Sequence, residues 1–171
     1  MTAKITSRTE DTVVIEITLP LARSMLDGEG HIEQALNEAG SLATGELLKC
    51  FDTDGSAIQM GSTKLTSKGL VEKPYQTPYG ETRVKRHVYQ SPRGGATFCP
   101  LERDARIIQG ATPKLAKLLS HKYSKLSVDE VKTDLQSNHG RALSRGYIQK
   151  VSETVGALAQ APGVRIDVAS P

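Results

Sequence analysis

The stretch NHGRALSRGYIQK, residues 138–150, carries side chains suited to reading a polar surface. Arg145 and Gln149 are one helical turn apart, Lys150 follows directly, and Arg141 lies in the turn that precedes them. Arginine and glutamine can each form paired hydrogen bonds to a base edge, to guanine and adenine respectively. We therefore take Arg145, Gln149 and Lys150 as candidate base contacts, with Arg141 beside them.

Further cationic side chains upstream could hold a polyanion in place without reading it. Contacts from lysine, arginine and histidine to phosphate groups fix register and orientation but carry no sequence information. A predicted helix that begins near residue 112 carries the first group: Lys114, Lys117, His121 and Lys122. The predicted strand ETRVKRHVYQ (81–90) carries the second group: Arg83, Lys85 and Arg86.

Side chains alternate along this strand. Period-two alternation puts one set on the same face, namely Arg83, Lys85, His87 and Tyr89, and the other set, Thr82, Val84, Arg86 and Val88, on the opposite face. SPRGG (91–95) predicts a turn, after which ATFCPL returns as the partner strand. The cationic face could meet a phosphate backbone, or it could be the solvent-exposed side of a hairpin.

The charge of the chain is unevenly distributed. Residues 1–72 carry 6 Lys/Arg against 11 Asp/Glu, whereas residues 73–146 carry 14 against 6. Such asymmetry suggests that the middle of the chain faces a polyanion and that the N-terminal part does something else. A solvated basic face without a ligand would have the same composition.

The acidic residues do not predict a catalytic or metal site. Asp129, Glu130 and Asp134 share one predicted helix, where acids beside lysines are typical dipole partners and ion pairs. Glu102 and Asp104 lie near a strand end, and DTDGS (52–56) lacks the later acidic ligand of a calcium loop. We expect no catalytic residues, no metal and no cofactor in this chain.

The two cysteines, Cys50 and Cys99, are far apart and lack CxxC spacing. Zinc sites need three or four ligands at suitable spacing, and none is apparent. With no signal peptide and no apolar run of membrane length, the sequence predicts a reduced, cytoplasmic protein that does not enter a membrane.

The secondary-structure signals predict an α+β fold. DTVVIEITLP (11–20) predicts a strand that ends at Pro20, and residues 21–51 predict two helices with a break near Gly40. The predicted organisation is an N-terminal strand with acidic helices (1–56), a central antiparallel β-rich segment (57–108), a three-helix bundle (109–160) and a tail (161–171).

The bundle has recognisable helix boundaries. Thr112 with Pro113, Ser127 and Ser144 predict helix starts, and Gly140 is suited to a left-handed helix end. The last helix has an apolar stripe: Tyr147, Ile148, Val151, Val155 and Leu158. This layout fits a helix-turn-helix whose last helix begins with polar and basic side chains, although plain three-helix packing uses the same patterns.

Four stretches also resemble the N-terminal part of ISKra-type transposases of bacterial insertion sequences. They are ALNEAGSLATGELLKCFDTDGSAIQMG, YQTPYGETRVKRHVYQSPRGGATFCPLERDARII, TPKLAKLLSHKYSKLS and NHGRALSRGYIQKV. The resemblance runs from about Leu19 to Val155 and implies DNA transposition. In that family a catalytic domain with three metal-binding carboxylates follows this region, so the resemblance implies that the present chain lacks it.

We therefore expect the DNA-binding N-terminal portion of a truncated transposase, which recognises the terminal repeats of its element as double-stranded DNA. The protein would then lie in the bacterial cytoplasm, on the nucleoid. The alternative is an assembly module with no DNA role of its own, in which the acidic helices at 21–50 mediate self-association or contact the catalytic domain.

Overall fold

A computed structural model describes residues 2–160, so the predicted tail at 161–171 lies outside the described residues. The elements, in chain order, are β1 (Ala3–Arg8), β2 (Val13–Ile17), α1 (Met25–Lys49), β3 (Ile58–Met60), β4 (Thr63–Gln76), β5 (Glu81–Gln90), α2 (Pro100–Asp104), α3 (Pro113–Tyr123), α4 (Val128–His139) and α5 (Arg145–Gln160). The predicted α+β fold is confirmed, with strands first and a helical group at the C-terminal end. Within residues 2–160, no helix combines the length and apolarity needed to cross a membrane.

The N-terminal hairpin packs on α1. Strands β1 and β2 pair antiparallel, and Ala3 of β1 and Ala35 of α1 are both buried. The Glu38 carboxylate on α1 accepts hydrogen bonds from the Thr2 amide and hydroxyl, each 2.6 Å away. β2 was predicted, whereas β1 was not, because its sequence AKITSR lacks a clear apolar alternation.

The predicted break near Gly40 is wrong, since α1 is one helix from Met25 to Lys49. Gly40 lies where the Tyr79 ring packs on the helix backbone, and a Cβ at Gly40 would be 2.4 Å from Tyr79 Cγ. Gly45 is similar, with a Cβ position 2.7 Å from Thr82 Oγ1. These glycines allow close packing against the β4–β5 hairpin rather than ending the helix.

The central sheet is antiparallel in the order β3-β4-β5. The partner of β5 is β4, in a register that pairs Lys73 with Val84 and Gln76 with Glu81. The predicted pairing of β5 with ATFCPL is confirmed at one position only, where Tyr89 and Phe98 form an antiparallel bridge with backbone hydrogen bonds of 2.7 and 2.8 Å. The segment does not continue as a strand, because Pro100 begins α2.

Two buried clusters lie under these elements. The first joins α1, the sheet and α2 through Leu48, Tyr75, Val84, Leu101 and Ala105. The second lies among α3, α4 and α5 and is built mainly from leucine, valine and isoleucine, as the apolar stripes predict.

The packing of Tyr79 on α1 predicts opposite effects for two glycines of the same helix. Gly40→Ala should destabilise the protein by about 1–3 kcal/mol, because the added methyl group overlaps the Tyr79 ring. Gly30→Ala, where nothing lies within 4 Å of the Cβ position, should raise the free energy of unfolding by up to about 1 kcal/mol through helix propensity. Urea denaturation measures both. Equal shifts of the two midpoints would contradict the close contact.

Candidate nucleic-acid interface

Local capping sets the bounds of α4. Ser127 and Glu130 form a capping box, in which the Ser127 hydroxyl accepts from the Glu130 amide and the Glu130 carboxylate accepts from the Ser127 amide. At the other end Gly140 has φ 58°, a left-handed conformation that favours glycine. The chain turns there, and Ser144 caps α5 by accepting from the Tyr147 amide at 3.2 Å.

Arg141 fixes this turn to the sheet. Its Nε donates to the Thr77 carbonyl oxygen at 3.1 Å, and one terminal nitrogen donates to Gln76 Oε1 at 2.6 Å. Arg141 is only 8% exposed, and burial is the main influence on its pKa, which it lowers. The expectation that Arg141 is free for DNA is wrong, because its donors hold the turn against the β4–β5 hairpin.

One face of α5 is buried and the other is open. Ile148 and Val151 are fully buried in the helical cluster, as predicted. On the opposite face, Arg145 and Gly146 are exposed and Gln149 is half-buried. The first turn of α5 therefore exposes Arg145, and the half-buried Gln149 follows one turn later on the same side of the helix.

The three predicted base contacts do not lie in equivalent surroundings. Arg145 is exposed, and its Nε is 3.2 Å from a carboxylate oxygen of Asp129, itself exposed on α4. Lys150 is exposed but lies on the side of α5 that faces β4, where it lines a cleft. Arg145 and Gln149 thus share an outward face, and Lys150 lies away from it.

Helix α3 presents three of its four predicted phosphate contacts. Lys114, Lys117 and His121 are exposed. Lys122 is different, because its ammonium group forms an ion pair with Asp134 of α4 and its side chain is 20% exposed. The Lys122 pair also lowers the pKa of Asp134. The expectation of a free Lys122 is wrong, and its ion pair joins α3 to α4.

The three predicted phosphate contacts on β5 also differ in their exposure to solvent. Arg83 and Lys85 are exposed, but Arg83 lies within 4 Å of the carboxylates of Glu81 and Glu72, at 3.2 and 3.7 Å. Arg86 is 8% exposed. The expectation that Arg86 contacts phosphate is wrong, because the core encloses its guanidinium group.

The predicted cationic face of β5 is only partly a surface. Tyr89 is fully buried, and its hydroxyl contacts Thr53 Oγ1 at 2.7 Å and donates to the Ser56 carbonyl oxygen at 2.9 Å. The His87 amide donates to the Asp52 carboxylate at 3.0 Å. Residues 52–56, which follow α1, pack over this end of β5. The alternation of residue types within β5 cannot predict that another segment covers one of its faces.

The carboxylate of Glu102 joins three donors, an arrangement that sequence reasoning missed. Its Oε1 lies 2.8 Å from Lys73 Nζ, 2.8 Å from the Tyr75 hydroxyl and 3.3 Å from Arg86 Nε. Burial alone would raise the pKa of Glu102, but the hydrogen bonds from Lys73 and Tyr75 and the charges of Lys73 and Arg86 outweigh burial and lower it. No motif spacing signals this network, because its members come from three different elements.

The other acidic residues have structural partners. Asp129 pairs with Arg145, Glu130 completes the capping box of α4, and Asp134 pairs with Lys122. Among the residues that the structure describes, no cluster of three or more histidine, cysteine or carboxylate side chains could hold a metal ion. The acids of this region therefore serve ion pairs and helix capping.

Comparison with known proteins adds no family: no family model matches the chain, and no curated protein sequence matches it significantly.

The Glu102 network predicts a pH-dependent stability. The pKa of the Glu102 carboxyl is lower in the folded state than its ordinary value of 4.5. Glu102 therefore contributes its full stability at pH values above 4.5, and this contribution is lost as the pH falls through the lower pKa of the folded state. Glu102→Gln should lower the free energy of unfolding by about 1–3 kcal/mol at neutral pH, since it removes a charged acceptor from three donors. Denaturant unfolding between neutral and acidic pH measures the difference.

Glu29→Gln is the matched control, because Glu29 is exposed on α1; its effect should be small at every pH. A Glu102→Gln difference that persists undiminished well below pH 4.5 would contradict the assigned role of the carboxylate charge.

Proposed function

We propose that this chain binds double-stranded DNA through the first turn of α5, as the DNA-binding portion of an insertion-sequence transposase similar to the ISKra type. The observation that carries the proposal is the outward placement of Arg145 and Gln149 on a helix whose other face is buried. The terminal repeats of the element are the proposed target. The protein would act in the bacterial cytoplasm, on the nucleoid.

The first turn of α5 is suited to a DNA groove. A helix fits the major groove when its leading residues contact base edges and its remaining face is held by the protein core. Gly146 lies between the two proposed reading residues, and nothing is within 4 Å of its Cβ position. The absence of a side chain there would let the helix backbone approach the base edges closely.

The exposed cations of α3 supply phosphate contacts in this proposal. Lys114, Lys117 and His121 are solvent-exposed on one helix of the same bundle. Cations of this kind contribute a salt-dependent affinity for any DNA sequence. Lys122 is left out of the proposed surface because it holds α4 through Asp134.

Asp129 competes with DNA for Arg145 in this arrangement. The two side chains are about equally exposed, at 60% and 62%, and lie 3.2 Å apart. An exposed ion pair of this kind is weak, so a base or phosphate acceptor can displace the carboxylate. Removal of the Asp129 charge should free Arg145 and also reduce repulsion of the DNA backbone.

The proposal predicts opposite changes in DNA affinity for two partners of one ion pair. A duplex selected from a randomised library by the wild-type chain serves as the specific DNA. Arg145→Ala and Gln149→Ala should each cost about 1–3 kcal/mol on that duplex and little on unselected DNA. Asp129→Asn should tighten binding to both. Fluorescence anisotropy at several salt concentrations measures these affinities.

The matched control is Lys4→Gln, which removes an exposed, ion-paired cation from β1 and should leave affinity unchanged. Selection that recovers no preferred sequence, together with wild-type affinity for Arg145→Ala, would overturn the proposed reading role of α5.

Assembly is the second candidate function, and the exposed apolar stripe on α1 favours it. Its members are Met25, Ile32, Leu36 and Leu47, with Leu36 58% exposed. Met25 and Leu47 are each eleven residues from Leu36, close to three helical turns. An antiparallel pair of α1 helices centred on Leu36 would therefore place Met25 of one copy against Leu47 of the other. Such a symmetric pair would give a concentration-dependent dimer in sedimentation, which Leu36→Glu should abolish.

A further inference from the structure

A cleft of about 490 Å³ opens between β4, the loop that precedes α3, and α5. Its polar lining comes from Lys73, Gln76, Glu102, Gln109, Tyr147 and Lys150. A volume of this size is within the range of small-ligand sites in proteins. The cleft lies on a different side of α5 from Arg145 and Gln149, so it is distinct from the proposed reading face.

The Tyr147 hydroxyl in the wall of the cleft has no hydrogen-bond partner within residues 2–160, although it is buried. An unpaired buried hydroxyl costs free energy in a folded protein. Burial raises the pKa of Tyr147 to about 12, so the group keeps its proton at neutral pH. It is therefore a donor that lacks an acceptor.

Positive charge is in excess around this hydroxyl. Lys73 at one side is paired with Glu102, whereas Lys150 at the other side forms no ion pair within the described part of the chain. Arg141 donates to uncharged oxygen atoms, those of Gln76 and Thr77, and the Glu81 carboxylate accepts from the Gln76 side chain at 3.0 Å. The three cations Lys73, Lys150 and Arg141 therefore exceed the two carboxylates Glu102 and Glu81 by one charge. The arrangement favours an anion as the missing acceptor.

The loop beside the cleft holds an unusual backbone. Gln109 has φ 52°, a left-handed conformation that non-glycine residues rarely adopt. It is followed by Gly110 at φ 80°, whose carbonyl oxygen accepts from the Gln76 amide at 2.8 Å. Both conformations belong to a two-residue turn, which reciprocal backbone hydrogen bonds between Ile108 and Ala111 close at 3.0 and 2.8 Å. A Cβ at Gly110 would be 4.0 Å from the Tyr147 hydroxyl oxygen.

We propose that this cleft binds a phosphate group, with the Tyr147 hydroxyl donating to a phosphate oxygen and Lys150 neutralising its charge. The phosphate could belong to a DNA backbone or to a free nucleotide, which present the same chemistry. The DNA source rests on the function proposed above, whereas the free-nucleotide source does not. Gln109 closes one side of the cleft, since its side-chain nitrogen Nε2 donates to Thr154 Oγ1 on α5 at 3.4 Å.

Two variants test the proposal with little risk to folding. Tyr147→Phe deletes only a hydroxyl that has no partner within residues 2–160, so the free energy of unfolding should be unchanged or higher. Lys150→Gln removes an exposed charge. Lys132→Gln on α4, also exposed, is the charge-matched control outside the cleft. Thermal unfolding of all three variants establishes that they fold.

The titration uses inorganic phosphate and then deoxyadenosine monophosphate, followed by amide NMR signals of the full chain. Saturable shifts at Gln109 and Gly110 are expected. Tyr147→Phe and Lys150→Gln should each raise the half-saturation concentration roughly tenfold. This is the loss of affinity expected when a hydrogen bond to a charged group is removed. Lys132→Gln should titrate like wild type. A parallel anisotropy measurement with duplex DNA identifies the source.

Each result decides one question. Weaker DNA binding in Tyr147→Phe and Lys150→Gln, with wild-type binding in Lys132→Gln, supports a backbone phosphate in the cleft. Phosphate titration without any DNA binding supports the cleft with a free nucleotide and overturns the DNA-binding function. If duplex DNA binds through Arg145 while neither phosphate nor DNA responds to the cleft variants, the cleft proposal is overturned and the function stands.

Discussion

The buried guanidinium group of Arg141 ties the helical bundle to the sheet. It reaches from the α4–α5 turn to the end of β4, where it binds a carbonyl oxygen of Thr77 and the side chain of Gln76. Thr77 itself organises the β4–β5 turn, since its hydroxyl accepts from the amides of Tyr79 and Gly80. A planar group with several fixed donors can hold two acceptors at once, which a lysine ammonium group cannot do in the same geometry.

A second polar network joins α2 to the same sheet. Glu102 of α2 draws Lys73, Tyr75 and Arg86 of the sheet to one carboxylate oxygen. Arg86 also donates to the Val71 carbonyl oxygen at 2.9 Å. Breaking a charged network of this kind leaves desolvated groups without partners, which is why its loss is costly even where its net contribution is modest. The cleft and the first turn of α5 both depend on elements that these two networks hold.

Local rules predicted the bundle well because its boundaries depend on nearest neighbours in sequence. Ser127, Gly140 and Ser144 act at the helix ends as their residue types predict, and Ile148 and Val151 are buried as their spacing predicts. The same rules placed Arg145 and Gln149 on an open face. Sequence periodicity is sufficient when one face of an element packs on a single neighbour.

The predictions that proved wrong concern residues whose surroundings are set by an element distant in sequence. Gly40 suggested a helix break, but the Tyr79 ring of the β4–β5 turn occupies the space of its missing side chain. Arg86 and Arg141 suggested exposed cations, but acceptors far away in sequence enclose them, Glu102 for one and Thr77 for the other. The Tyr147 hydroxyl, which has no hydrogen-bond partner within residues 2–160, was likewise not predicted, since the sequence indicated only an apolar stripe position. Tertiary contacts of this kind leave no local pattern.

Contact between the first turn of α5 and DNA is the central claim, and photo-crosslinking tests it most directly. A photoreactive p-benzoylphenylalanine can replace Ala142, which is exposed in the turn that precedes α5, or Gly30 on α1, where nothing lies within 4 Å of the Cβ position, so both labelled chains should fold. We predict that the Ala142 position crosslinks to the selected duplex under irradiation and that the Gly30 position does not. Equal crosslinking from the two positions, or crosslinking from Gly30 alone, would contradict the account.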